Sequence, residues 1–190
     1  MTSPSTSTTA NTSTSQYRSF GGRELQLNII DYNRDSFEIQ IINKNYSYER
    51  SFRFKAIVTL ALTYLAYIVS SSSRLLIVDV ASLLTLAYLI YTTIELVKSE
   101  KILFVAEFAL QITTEKSRRS SIFIPATNIK DVVINEVIDD LAIKYVLITR
   151  TKGSLSHSKP IIAMFKSLQP RIECLEIVYT HFLKKLDLER

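Results

Sequence analysis

Three glycines, one cysteine, two histidines and no tryptophan are all that these 190 residues hold of those types. Gly21, Gly22 and Gly153 are too few and too scattered for a dinucleotide fingerprint or a phosphate-cradling loop, both of which need glycine where backbone approaches a pyrophosphate. Cys174 alone excludes a disulfide framework, and with His157 and His181 it forms no set at zinc-ligand spacing. No catalytic, cofactor-binding or metal-ligating constellation is therefore expected. The length suits one domain plus a membrane anchor and excludes a multidomain catalyst.

Charge is missing from one stretch. Residues 1–55 carry seven basic and five acidic groups and residues 98–190 fifteen and eleven, but residues 56–97 only one and two. Between Ala56 and Ile94 only Arg74 and Asp79 are charged. Each half of that run is about one bilayer long, since roughly twenty helical residues cross a hydrocarbon core of about 30 Å. Ser70 to Arg74 form the polar break between them. The pattern predicts a two-span helical hairpin over 56–97; the competing soluble helix pair would need a polar face that neither half has. An apolar run starting 55 residues in, with no suitable cleavage pattern, does not read as a signal peptide. Arg50, Arg53 and Lys55 before the first span and Lys98 and Lys101 after the second, against Arg74 in the connection, put both termini in the cytosol. Asn11-Thr12-Ser13 and Asn45-Tyr46-Ser47 are formal glycosylation acceptors, and this orientation predicts that both stay unmodified. Asp79 needs a partner: it either reaches the interface to pair with Arg74 or meets a neighbouring subunit.

Eleven of the first sixteen residues are serine or threonine, so residues 1–20 read as a disordered tail. In residues 21–55, Leu25, Leu27 and Ile29, then Phe37, Ile39 and Ile41, alternate around an Asp31–Asp35 turn, which predicts a β-hairpin on the cytosolic side. Residues 98–190 read as a small cytosolic domain with strands near 102–106, 109–114, 122–124, 131–137, 143–149 and 161–165. Ser167 as N-cap then opens a helix whose Leu168, Ile172, Leu175, Tyr179, Phe182 and Leu186 share one stripe. The fold class is thus an α+β membrane protein: a transmembrane helical hairpin followed by strands and a C-terminal amphipathic helix, the element order of a pleckstrin-homology-like domain.

Two blocks, FIPATNIKDVVINE at 123–136 and FKSLQPRIECLEIVY at 165–179, resemble those that mark the PIG-H family, an accessory component of the glycosylphosphatidylinositol N-acetylglucosaminyltransferase. Phe123-Ile124, the run Ile129 to Glu136 with Lys130, Asp131, Asn135 and Glu136, Pro170-Arg171 and Cys174-Leu175 carry the resemblance, in matching order after the two spans. Two departures stand out: Glu107 to Gln111 lacks the glycine usual before the Gln, and Ile172-Glu173 replaces Leu-Asp. The resemblance implies an endoplasmic-reticulum subunit of the complex that transfers N-acetylglucosamine from its UDP donor to phosphatidylinositol, the first step of GPI-anchor synthesis. It also implies a catalytic partner subunit, PIG-A, further membrane partners of the PIG-C, PIG-P, PIG-Q and PIG-Y types, and no catalysis by this chain. Glu107 and Glu115 match the spacing of paired glutamates in some retaining glycosyltransferases, at a frequency that chance explains.

The reading that follows is a scaffold holding the catalytic subunit at the bilayer, with the two blocks organising the domain or its contact. For Asn135, Glu136 and Arg171, internal hydrogen bonding and partner contact stand equal. Lys116, Arg118 and Arg119 form either a solvated turn or a contact with anionic head groups; the latter gives the alternative function, a membrane-hairpin adaptor that reads phosphoinositides. Fifteen basic residues without a cluster longer than two do not suggest a nucleic-acid partner, despite a pI near 9.3.

Overall fold

The computed structural model describes residues 11–70, 76–139 and 141–186. Strands β1 (Asn11–Arg18), β2 (Glu24–Asp31) and β3 (Ser36–Asn43) lead into helix α1 (Tyr46–Ser70) and helix α2 (Leu76–Ile94). Strands β4 (Ser99–Val105), β5 (Ala109–Glu115) and β6 (Arg119–Pro125), a 3-10 turn at Ala126–Asn128, and strands β7 (Ile129–Asp139) and β8 (Ala142–Thr151) follow. A short helix α3 (Leu155–Ser158), strand β9 (Ile161–Met164) and helix α4 (Ile172–Leu186) complete the order.

β1 to β6 form one antiparallel meander of six strands, and β7 to β9 a second sheet of three. The helix pair interrupts the first sheet. β3 and β4 are neighbours, with Ile39 opposite Ile102 and Ile42 opposite Ser99, although residues 44–98 separate the two strands in sequence. The N-terminal hairpin thus pairs with the strands that follow the helices, and both sides contribute to one six-stranded sheet.

The alternation read from the sequence points inward. Leu25, Phe37, Ile39, Ile41, Ile102, Leu110 and Ile124 are fully buried, and each such side chain stabilises the fold by about 1.5–3 kcal/mol. α4 closes this core with Cys174, Leu175, Val178 and Phe182. Phe182 meets Phe37 edge to face at 4.9 Å, a favourable aromatic geometry. Asp31 holds the far end of α4 through His181 at 3.1 Å and Lys185 at 3.3 Å.

Three further expectations change. Residues 11–18 of the expected disordered tail form β1, paired along its length with β2. Its serines and threonines bury little; backbone bonding to an otherwise open edge holds it. α1 starts at Tyr46, ten residues before the apolar run, so Glu49, Arg50, Arg53 and Lys55 are the charged first turns of a helix about 37 Å long. Ser167 does not cap α4, which begins at Ile172, its first turn closed by the Cys174 and Leu175 amides donating to the Arg171 carbonyl. The expected polar break at Ser71 to Arg74, and residues 1–10 of the tail, lie outside the described residues.

Candidate functional site

The two sequence blocks meet around β7, β8 and the segment 165–171. Phe165 and Gln169 adopt φ values of 54° and 45°, a left-handed conformation that costs a non-glycine residue energy and needs support. The support comes from Glu100 on β4. Its carboxylate accepts the Leu168 amide at 3.0 Å and the Ser167 amide at 3.3 Å, with the Thr114 hydroxyl at 3.5 Å. Burial raises the Glu100 pKa above the usual carboxylate range, against the lowering effect of those hydrogen bonds. Sequence reading missed Glu100 because a glutamate just past an apolar helix looks like an interfacial charge.

The same segment ties down the N-terminal strands. The Phe20 amide donates to the Gln169 carbonyl at 2.8 Å, the Arg171 amide to the Arg18 carbonyl at 3.2 Å, and Ser19 bridges Pro170. The second block is thus the latch of β1 and β2 onto the rest of the body.

The predicted site residues divide by location. Cys174 is fully buried, and desolvation pushes its thiol up to about 12, so it packs in the core as a small apolar group. Pro170 is also buried, whereas Lys130, Asn135, Glu136 and Arg171 are exposed. No side-chain hydrogen bond of Asn135 or Glu136 occurs among the described residues. Asp131 receives a two-pronged contact from the Arg150 guanidinium, which holds its carboxyl below the usual range. Asn135 and Pro170, one from each block, line the same cavity of about 290 Å³ between β8 and the 165–170 segment.

Lys116, Arg118 and Arg119 lie at the helix end of the body. Lys116 pairs with Glu95 just after α2, and Arg119 with Glu115 at 2.8 Å, while Arg118 is exposed. Across the body, Arg23 pairs with Glu49 of α1 at 3.1 Å. Asp79 accepts a hydrogen bond from the Tyr64 hydroxyl of α1 at 3.3 Å, while Arg74, its expected partner, lies outside the described residues. Glu107 lies in the β4–β5 turn and Glu115 at the far end of β5, whose six steps span about 20 Å at the usual strand rise, so they do not act as a pair.

Residues 101–166 match the family model described as GPI-GlcNAc transferase complex, PIG-H component. The likeness to the PIG-H family is confined to these residues. The PIG-H segment runs from β4 to just past β9 and leaves β1–β3, both long helices and α4 outside the match. No curated protein and no solved structure matches the chain. Within the matched segment, Glu107 occupies the left-handed position, φ 59°, of the β4–β5 turn, a conformation that glycine adopts more readily.

Proposed function

We propose that this chain is a non-catalytic subunit of the GPI-GlcNAc transferase that binds the catalytic subunit, PIG-A in this family, and positions it at the endoplasmic-reticulum membrane. There the complex moves N-acetylglucosamine from UDP-N-acetylglucosamine to phosphatidylinositol. The observation that carries the reading is the insertion of α1 and α2 between two adjacent strands of one sheet. Both helices are long and apolar enough to cross a bilayer, and none of their described residues is buried. A body joined to two spans by only residues 44–45 and 95–98 cannot swing far from the surface. It therefore raises the local concentration of whatever it binds beside the lipid acceptor. The pairing of β3 with β4 keeps both helix ends on one side, and Arg50, Arg53, Lys55, Lys98 and Lys101 favour the cytosolic one. Four strands β3–β6, three strands β7–β9 and a closing helix follow the order of a pleckstrin-homology-like domain, with β1 and β2 added at one edge.

The test uses microsomes depleted of this protein and given labelled UDP-N-acetylglucosamine. Product should fall and return on add-back, while the purified chain alone makes none. Undiminished synthesis in the depleted membranes contradicts the proposal.

A second reading, binding of anionic head groups, is favoured by one observation: the Lys116–Glu95 pair holds the 116–119 loop at the end of α2. A fragment starting at residue 100 cannot test it, because β1–β3 would be missing. The full chain in proteoliposomes with and without phosphoinositide can, scored by protection of Arg118 and Arg119 from chemical modification. Equal modification in both would remove this reading.

A further inference from the structure

The core-facing stripe of the second sheet runs past its cover. Leu147, Tyr145 and Ile143 of β8 share one face with their partners Ile134, Glu136 and Ile138 of β7. α4 packs against these two strands, and burial fades along them toward the hairpin turn. Leu147 is inaccessible, Ile134 and Tyr145 lie partly buried on the core, and Ile143 and Ile138 are 57% and 80% exposed. At the turn itself Leu141 is fully exposed in a left-handed conformation, φ 61°. Glycine or asparagine holds such a position at less cost, so a leucine here carries backbone strain while offering solvent only an apolar tip.

The direction of the hairpin says what meets that tip. β7 follows the Ala126–Asn128 turn, whose Ala126 amide donates to the Phe108 carbonyl in the β4–β5 turn, at the end of the first sheet away from the helices. Near its other end the Lys144 ammonium sits over the Phe20 ring at 5.4 Å. Phe20 belongs to the β1–β2 turn, from which Arg23 pairs with Glu49 of α1. The hairpin thus runs from the far end of the body to the end from which the helices leave. Past Lys144, three more residues reach Leu141, about 10 Å at the usual strand rise. α1 covers the same distance, about 10 Å, between Glu49 and Ala56, where its apolar run begins. The surface of a bilayer crossed by α1 and α2 is therefore within reach of the tip, and apolar side chains gain free energy on entering its interfacial layer. Asp139 and Asp140 adjoin Leu141 in the sequence, so anionic head groups would oppose the contact and zwitterionic lipid suits it.

We infer that the β7–β8 tip is a third membrane contact, with Ile138, Leu141 and Ile143 entering the interfacial layer of a zwitterionic bilayer and fixing the tilt of the body against it. The inference rests on the reading of α1 and α2 as spans and adds the face that the body turns to the lipid.

The chain has no tryptophan, so a single introduced one reports alone. Full-length Leu141→Trp, Ile138→Trp, Phe108→Trp and Leu84→Trp variants are reconstituted in phosphatidylcholine vesicles with plain or brominated acyl chains, since bromine quenches indole emission on contact. Leu84→Trp in α2 reports the span, and Phe108→Trp at the far end of the body sets the background. Emission from Leu141→Trp and Ile138→Trp should fall about twofold in brominated lipid, while that from Phe108→Trp should hold. If Leu84→Trp is quenched but the tip variants are quenched no more than Phe108→Trp, or only when phosphoinositide is added, the tip contact is wrong and the spans survive. If Leu84→Trp is not quenched either, both fall.

Discussion

Leu25, Ile39 and Leu110 in the strands are inaccessible to solvent, while Leu62, Ile77 and Leu84 in the long helices are 61%, 82% and 66% exposed. The same residue types thus meet two fates within one chain. In the strand body, apolar side chains alternate with polar ones and bury themselves against α4. In the helix pair they cover every face, so packing one helix on the other does not hide them. The polar links between the regions, Arg23–Glu49 and Lys116–Glu95, lie where the two environments meet.

That contrast can be broken most sharply at the β3–β4 seam. Ile39→Ala should cost about 3–4 kcal/mol in denaturant unfolding of the strand body, whereas Ile77→Ala should change it by less than about 0.5 kcal/mol. Equal effects would mean that the two regions share a core.

Next in size is Glu100. Glu100→Ala leaves the Ser167 and Leu168 amides without their acceptor and should cost about 2 kcal/mol, loosening the latch on β1 and β2. Because its folded pKa is raised, the folded state binds the proton more tightly than the unfolded one. This contribution is fully present below the ordinary carboxylate pKa and is lost as pH rises through the folded value. Unfolding midpoints measured from pH 4 to 8 should show that slope in the native chain, and Glu100→Gln should flatten it.

Replacing residues 46–94 with a short glycine-serine turn should leave a water-soluble body within about 1 kcal/mol of its original stability, since a two-strand connection closes at little entropic cost. Amide exchange would report whether Ile39 still faces Ile102. The smallest effect is expected at the β4–β5 turn: Glu107→Gly should raise stability by about 0.5 kcal/mol, net of the entropy glycine gains when unfolded. A thermal melt detects it.

Much of this architecture is legible residue by residue. The alternation at Leu25, Leu27 and Ile29 marks β2, and the uncharged run marks the two long helices. The pairing of β3 with β4 is not legible, because nothing local to Ile42 refers to Ser99 across the interposed helices. β1 is equally silent, since a serine-threonine strand carries no apolar phase. Of the candidate site, the blocks at 123–136 and 165–179 are visible as sequence. Their convergence on one cavity is not, because it depends on the turn at Phe165 and on the carboxylate of Glu100.

The interruption of the first sheet has a consequence for synthesis. β3 leaves the ribosome well before β4 does, with both long helices made in between. Until then β3 waits with one open edge. The meander closes only when the chain returns after α2 to lay β4 beside β3. Completion of the sheet therefore waits for both helices, and the body that α4 closes assembles only after residues 46–94 have been made.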